Sequence, residues 1–314
     1  MPLITTTAQL REYVTVGQNL SIGSIRPQIF TAENKYLKSF IGQKLYAHLV
    51  TNAAAGPYQD LMALAQSAAA KFAVWLYIIP GGTQIDDAGI YQAKTADMWR
   101  LTKEEIDELR KYSLSDAMDA LDMLLEYLEE NAAAPADGVV EANYTAFNFW
   151  HQAPTRTRLM GLLIKKSEDF SKYVELYRSS LTFQMLNTAM SHVERHQIAP
   201  LMGDYYNTIR AMTAPAGNDL ALLELAQEAL AKLSAAYGMN LGFHIMENGR
   251  FTTCLQPQKI DTELLSAYKS EGENALERLR AKLEQIKPAG YEPLPTLEAN
   301  TATLRKPGSK IILA

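Results

Sequence analysis

Apolar positions along this chain recur at helical spacing. Ile22, Ile25, Ile29, Leu37, Phe40 and Ile41 predict a helical stretch that ends at Gly42. Gly42 and Gly203 suit the residue just past a helix end, where a left-handed backbone costs glycine little. The run from Tyr58 to Ile79 is alanine-rich and apolar on most faces, which predicts a central buried helix with closely approaching neighbours. Pro80-Gly81-Gly82 ends it. Thr102-Lys103-Glu104-Glu105 is a capping box for a later helix, on which Leu121, Leu124, Leu125 and Leu128 form one stripe. Asn248-Gly249 predicts a tight hairpin turn, and Asp86-Asp87-Ala88-Gly89 a softer one.

The same pattern occurs twice. Shifted by 161 residues, Leu61-Met-Ala-Leu-Ala-Gln-Ser-Ala-Ala-Ala-Lys71 lies over Leu222-Leu-Glu-Leu-Ala-Gln-Glu-Ala-Leu-Ala-Lys232, with seven of eleven positions identical. Ordinary composition gives about one identity by chance. At that offset Leu20 meets Leu181, Glu33 meets Glu194, Gly42 meets Gly203 and Gly56 meets Gly217. At an offset of 160, Leu3-Ile4 meets Leu163-Ile164, and Ile85, Gly89 and Tyr91 meet Ile245, Gly249 and Phe251. Thr7 and Ser167 both stand where an N-cap hydroxyl is wanted. Farther on the offset falls to 155, where Leu121, Leu124 and Leu128 meet Leu276, Leu279 and Leu283.

The expected fold is therefore mainly α: a tandem duplication of a helical-bundle unit, each with a short β-hairpin, plus extended arms. Residues 1–130 form the first repeat and 161–287 the second. Residues 131–160 are expected to be a linker and an aromatic extended segment carrying Tyr144, Phe147, Phe149 and Trp150. Residues 288–314 are proline-rich, lack a helical period and predict an extended C-terminal arm.

Composition changes this picture little. Of 314 residues, 47% are hydrophobic and 21% charged, the balance of a globular chain with room for two cores. The net charge of −5 argues against whole-surface binding to nucleic acid. Cys254 is the single cysteine, so no intramolecular disulfide forms. The N-terminus lacks the basic and apolar regions of a signal peptide. The apolar stretch Phe72–Ile79 is too short to span a bilayer, so no membrane partner is expected.

Candidate chemistry is sparse. His192 and His196 share a helix face at i, i+4, but His-Val-Glu-Arg-His is not the zinc-protease pattern, and the first repeat has Thr31 and Lys35 there. No serine elbow, cysteine–histidine pair or complete phosphate loop appears. No catalytic, cofactor or metal residues are assigned, and the chain is read as a non-enzyme. Two basic clusters stand out from the acidic background: Arg156, Arg158, Lys165 and Lys166, and then Arg305, Lys306 and Lys310. With Trp150 they are the candidates for partner contact, through an acidic surface or phosphate; solubilising charge and domain packing are the alternatives.

The unit from Leu20 to Leu49, with Phe40-Ile41-Gly42-Gln43-Lys44-Leu45-Tyr46, followed by the alanine-rich helix, resembles the helical head–tail connector (adaptor) proteins of tailed bacteriophages. The whole chain also resembles an uncharacterised family of phages and prophages of Bacteroides-type bacteria. It departs from the connectors in carrying two units and a long arm. The resemblance implies a structural virion protein, assembled in the host bacterial cytoplasm as a homo-oligomeric ring between portal and tail proteins. DNA would pass through that ring without specific binding. The other reading is a cytoplasmic helical enzyme or ligand-binding protein with its site between the two units.

Overall fold

A computed structural model describes residues 2–51, 59–86, 89–92, 102–131, 144–176, 179–241, 243–245, 251–253 and 262–291. The protein is mainly helical. In chain order the first elements are α1 (Thr7–Tyr13), α2 (Ile22–Thr31), a π-helical turn (Ala32–Leu37), α3 (Lys38–Ile41), α4 (Gln43–Thr51) and α5 (Gln59–Tyr77). Strands β1 (Thr83–Asp86) and β2 (Gly89–Gln92) pair antiparallel, with Ile85 opposite Ile90. Then come α6 (Lys103–Asn131), α7 (Tyr144–His151), α8 (Pro154–Met160), α9 (Ser167–Ser171) and α10 (Ser180–Met185). Next are α11 (Asn187–Val193), a second π-helical turn (Glu194–Ile198), α12 (Ala199–Met202), α13 (Tyr205–Ala211) and α14 (Asn218–Asn240). Strands β3 (Phe243–Ile245) and β4 (Phe251–Thr253) pair antiparallel, and α15 (Thr262–Ile286) closes the series.

The chain divides into two compact units. Unit 1 is Met1–Gly161 with Leu176–Asn187; unit 2 is Leu162–Glu175 with Thr188–Ala314. Unit 1 is thus completed by a short segment that lies, in chain order, between two stretches of unit 2.

In unit 1 the core is built on α5. Ala65, Ala68, Ala69, Ala70 and Ala73 are all buried, and their small side chains let α2 and α6 pack closely against this helix. Tyr36 stacks on Phe72 with centroids 4.6 Å apart. The stripe Leu121, Leu124, Leu125 and Leu128 on α6 is fully buried. The capping box that starts α6 is formed: Thr102 N–H donates to Glu105 Oε2 at 2.7 Å, and Glu105 N–H to Thr102 Oγ1 at 3.2 Å. Gly42 and Gly203 have φ of 84° and 59°, so a side chain at either position would be strained.

In unit 2, α14 and α15 pack side by side around Ala226, Leu230, Leu233, Ala275, Leu279 and Leu283. Gly272 is required there by contact: a Cβ on it would lie 2.6 Å from Leu233 Cγ.

Three expectations need correction. The aromatic segment within residues 131–160 is helical where described, as α7 and α8. Ala146, Trp150 and Ala153 are buried at helical spacing, so burial of one face decided the conformation over the β-prone aromatic composition. The N-caps lie one residue earlier than expected, at Thr6 and Lys166. The helix expected over Tyr58–Ile79 is described as Gln59–Tyr77 and ends two residues early, with Tyr58 outside the described residues. The turn Asn248-Gly249 and the arm beyond residue 291 lie outside the described residues. Among the described residues, no helix is long and apolar enough to cross a membrane.

Candidate functional site

The most ordered polar chemistry in unit 1 centres on a buried carboxylate. The π-helical turn after α2 adds a residue to the helical register and brings Glu33 inward, where it is 1% exposed. Leu3 N–H donates to Glu33 Oε1 at 2.7 Å, and Tyr46 O–H donates to Oε2 at 2.7 Å. Gln66 Nε2 on α5 donates to Leu3 O at 2.8 Å. The backbone of the N-terminal lead is thereby held at both its amide and its carbonyl. Lys38 Nζ sits 4.1 Å from the Tyr46 ring centre and donates to Asn34 Oδ1 at 2.6 Å. Burial raises the Glu33 carboxyl above the ordinary carboxylate range, opposed by the Tyr46 and Leu3 bonds and by the Lys38 charge. Burial and the facing carboxylate push the Tyr46 phenol well up.

Above this network lies a groove of about 380 Å³, walled by Pro2, Phe30, Ala47 and Val50, with Glu33, Lys38 and Tyr46 among its polar lining. Phe30 is 65% exposed.

Unit 2 contains a matching network. Its π-helical turn buries Glu194, which is 2% exposed. Leu163 N–H donates to Glu194 Oε2 at 3.0 Å, and Tyr206 O–H donates to Oε1. Gln227 Nε2 on α14 donates to Leu163 O at 2.9 Å. The Arg210 guanidinium lies 5.3 Å from the Tyr206 ring centre. Burial raises the Glu194 carboxyl too, opposed by Tyr206, Leu163, Arg210 and Lys165. A surface ion pair also recurs: Lys71 with Asp116 at 2.7 Å in unit 1, Lys232 with Glu271 at 3.0 Å in unit 2.

A third buried carboxylate belongs to unit 1. Asp122 on α6 is 7% exposed and accepts the Leu181 N–H at 2.9 Å. Its carboxyl is raised by burial, against the bonds from Leu181, Ser179 and Ser180. These carboxylates are saturated by the chain's own donors. They fasten backbone segments rather than present an oxygen to a substrate.

The predicted contact residues are not brought together. Trp150 is fully buried in unit 1, so its proposed contact with a partner is corrected to a core role. Arg156 is engaged with Glu129 at 3.1 Å and with His151 Nδ1 at 2.6 Å, also within unit 1. Arg158 and Lys166 are exposed and Lys165 is half-buried. Arg305, Lys306 and Lys310 lie outside the described residues. The His192 and His196 rings are 4.6 Å apart, with His192 stacked on Tyr237 at 4.3 Å. No third histidine, cysteine or carboxylate among the described residues joins them as a metal ligand.

Sequence reasoning paired Glu33 with Glu194 but assigned neither a role, and it missed Tyr46, Tyr206 and Asp122. The signal for the tyrosines was present at an offset of 160, the one that aligns Leu3 with Leu163.

Residues 27–136, about a third of the chain, match the model of a family of unknown function (DUF6712). The match runs from α2 to just past α6 and takes in Glu33, Tyr46, Gln66 and Asp122. No curated protein matches the chain. No solved structure matches it either.

Proposed function

We propose that this chain is a structural virion protein, a head–tail connector that assembles as a homo-oligomeric ring between portal and tail and lets DNA pass. One observation carries the reading: what recurs in both units is a fastening device. Each unit ties its lead to a π-helical turn through a buried glutamate, a tyrosine and a glutamine. Those groups hold shape and are spent on the chain's own backbone rather than on a reaction. The net charge of −5 agrees with a channel that conducts phosphate without gripping it.

The same recurrence supports reading residues 1–130 and 161–287 as two copies of one ancestral unit, each with its own hairpin. Both copies have a π-helical turn, a positive-φ glycine, an alanine-rich helix and a lysine–carboxylate pair at corresponding places. The residues after 291 are proposed as an arm that lies along a neighbour.

Phage particles purified from a host carrying this gene test the reading. Peptide mass spectrometry is expected to find the chain at a fixed copy number per particle. Its absence from purified particles would sink the proposal.

The groove beside Phe30 favours a second reading, as a binder of a small, largely apolar ligand, since its volume falls within the range of such sites. A thermal-shift screen with Val50→Trp as the blocked control separates the two readings. Ligand stabilisation abolished by that substitution supports the binder.

A further inference from the structure

We propose that a second copy of this chain covers α15. The face around Leu276 and Glu277 of one copy receives the segment 20–26 of the next, so that copies join head to tail. The inference rests on the reading of the two units as copies of one another.

Unit 1 contains the pattern of such a seat. Asp122 on α6 takes the Leu181 N–H at the start of α10, and Ser180, Leu181, Thr182, Phe183 and Gln184 are all buried there. Leu121 and Leu125, beside Asp122, are 1% and 0% exposed. The carboxylate stands at the first turn of a helix, where unpaired N–H groups favour negative charge.

The recurring ion pairs set how α6 maps onto α15. Asp116 corresponds to Glu271, because each pairs with the matching lysine of α5 or α14. In that register Leu121, Asp122 and Leu125 correspond to Leu276, Glu277 and Arg280. The seat on α15 is bare. Leu276 is half-buried, and Glu277 and Arg280, paired with each other at 3.4 Å, have side chains 71% and 48% exposed.

The element that would fill it is open on one side, while Ile25 is buried in unit 1 and Leu20 and Ile22 pack partly against its core. Leu181 corresponds to Leu20, and residues 182–187 correspond to 21–26. Ser21, Gly23, Ser24 and Arg26 are exposed, and Leu20 and Ile22 are half-buried. Charge agrees with the fit. Leu20 precedes α2 and its N–H is held by Gly17 O at 3.1 Å, so Glu277 would meet the first turn of α2 just beyond it, after the cap Ser21, with Arg26 about one turn on. A chain with an unfilled seat at one place and an unfilled insert at another makes a heterologous contact. Such contacts propagate into rings when the rotation closes.

Cysteine cross-linking in the full chain tests the interface, in a Cys254→Ser background. Asn19→Cys marks the insert, because Asn19 corresponds to Ser180, and Glu277→Cys marks the seat. Chains carrying one change each, mixed and mildly oxidised, are expected to give a two-chain disulfide species on a non-reducing gel. Both changes on one chain are expected to give a ladder of higher species. A cross-link closed within one chain overturns the proposal, and so does an Asn19→Cys chain that links only to itself. In parallel, Glu277→Arg is expected to weaken association at least tenfold in sedimentation, while Glu168→Arg on α9 leaves it unchanged. Association that persists without the 19–277 link removes this interface but leaves ring assembly standing. Absence of any association removes the assembly reading as well.

Discussion

Replacing Glu33 is the sharpest probe of the fastening network, because two substitutions separate its hydrogen bonds from its charge. Glu33→Ala leaves the Leu3 N–H and the Tyr46 O–H without their acceptor, in a place where Glu33 is 1% exposed. A buried donor left unsatisfied costs about 1–3 kcal/mol, so the pair predicts a loss of about 2–6 kcal/mol. For a unit of this size each kcal/mol lowers Tm by about 2–4 °C. Glu33→Gln keeps both bonds, since its amide oxygen accepts from Leu3 and its NH2 group donates to the Tyr46 oxygen. It also removes the charge. Because burial raises the Glu33 carboxyl, the folded chain holds a proton over a pH range where the unfolded chain has released it. Stability from this group is therefore fully present below the ordinary glutamate value and declines as pH rises through the raised one. The amide of the Glu33→Gln variant does not titrate. Wild type is expected to lose stability relative to Glu33→Gln as pH rises above the ordinary glutamate range. Denaturant unfolding followed by circular dichroism at several pH values reads both effects. An Ala variant within about 0.5 kcal/mol of wild type, the range of an ordinary surface change, would refute the network. A Gln variant whose stability follows pH in parallel with wild type would refute the charge argument.

Other outcomes follow from the same structure. Asp122→Ala is expected to cost about 1–3 kcal/mol and to speed hydrogen exchange at the Leu181 amide, whereas Asp122→Asn keeps an acceptor and should protect that amide. Gly272→Ala drives a methyl against Leu233 and is expected to cost about 1–3 kcal/mol, while Gly17→Ala, with nothing within 4 Å, should be near neutral in the same melts. Lys71→Met breaks a partly exposed pair with Asp116 and is expected to cost no more than about 1 kcal/mol, shrinking further at high salt.

The helices were legible where one face repeats. The alanine-rich run announced α5 and α14, and Thr102 with Glu105 announced the start of α6. The π-helical turns were not legible. One added residue shifts the apolar face without breaking its spacing enough to notice, so Glu33 and Glu194 read as ordinary polar positions. The tyrosines were hidden by a separate change of register after the glycines, since Tyr46 lies four residues past Gly42 and Tyr206 three past Gly203. At an offset of 161 Tyr46 falls opposite Asn207, yet the structure places Tyr46 and Tyr206 on equivalent glutamates. Asp122 carried no signal in the sequence because its partner, Leu181, is 59 residues away in the chain. Trp150 and its neighbours read as extended because aromatic residues favour strands, but burial at i and i+4 of Ala146 and Trp150 made them helical.

The central claim is that two fastened copies form a scaffold whose work is assembly. Native mass spectrometry of the purified full chain, set beside the copy number in purified phage particles, tests it most directly. The expected result is one discrete closed oligomer whose subunit count equals the count per particle. A chain that stays monomeric at every concentration and is missing from the particles would contradict it.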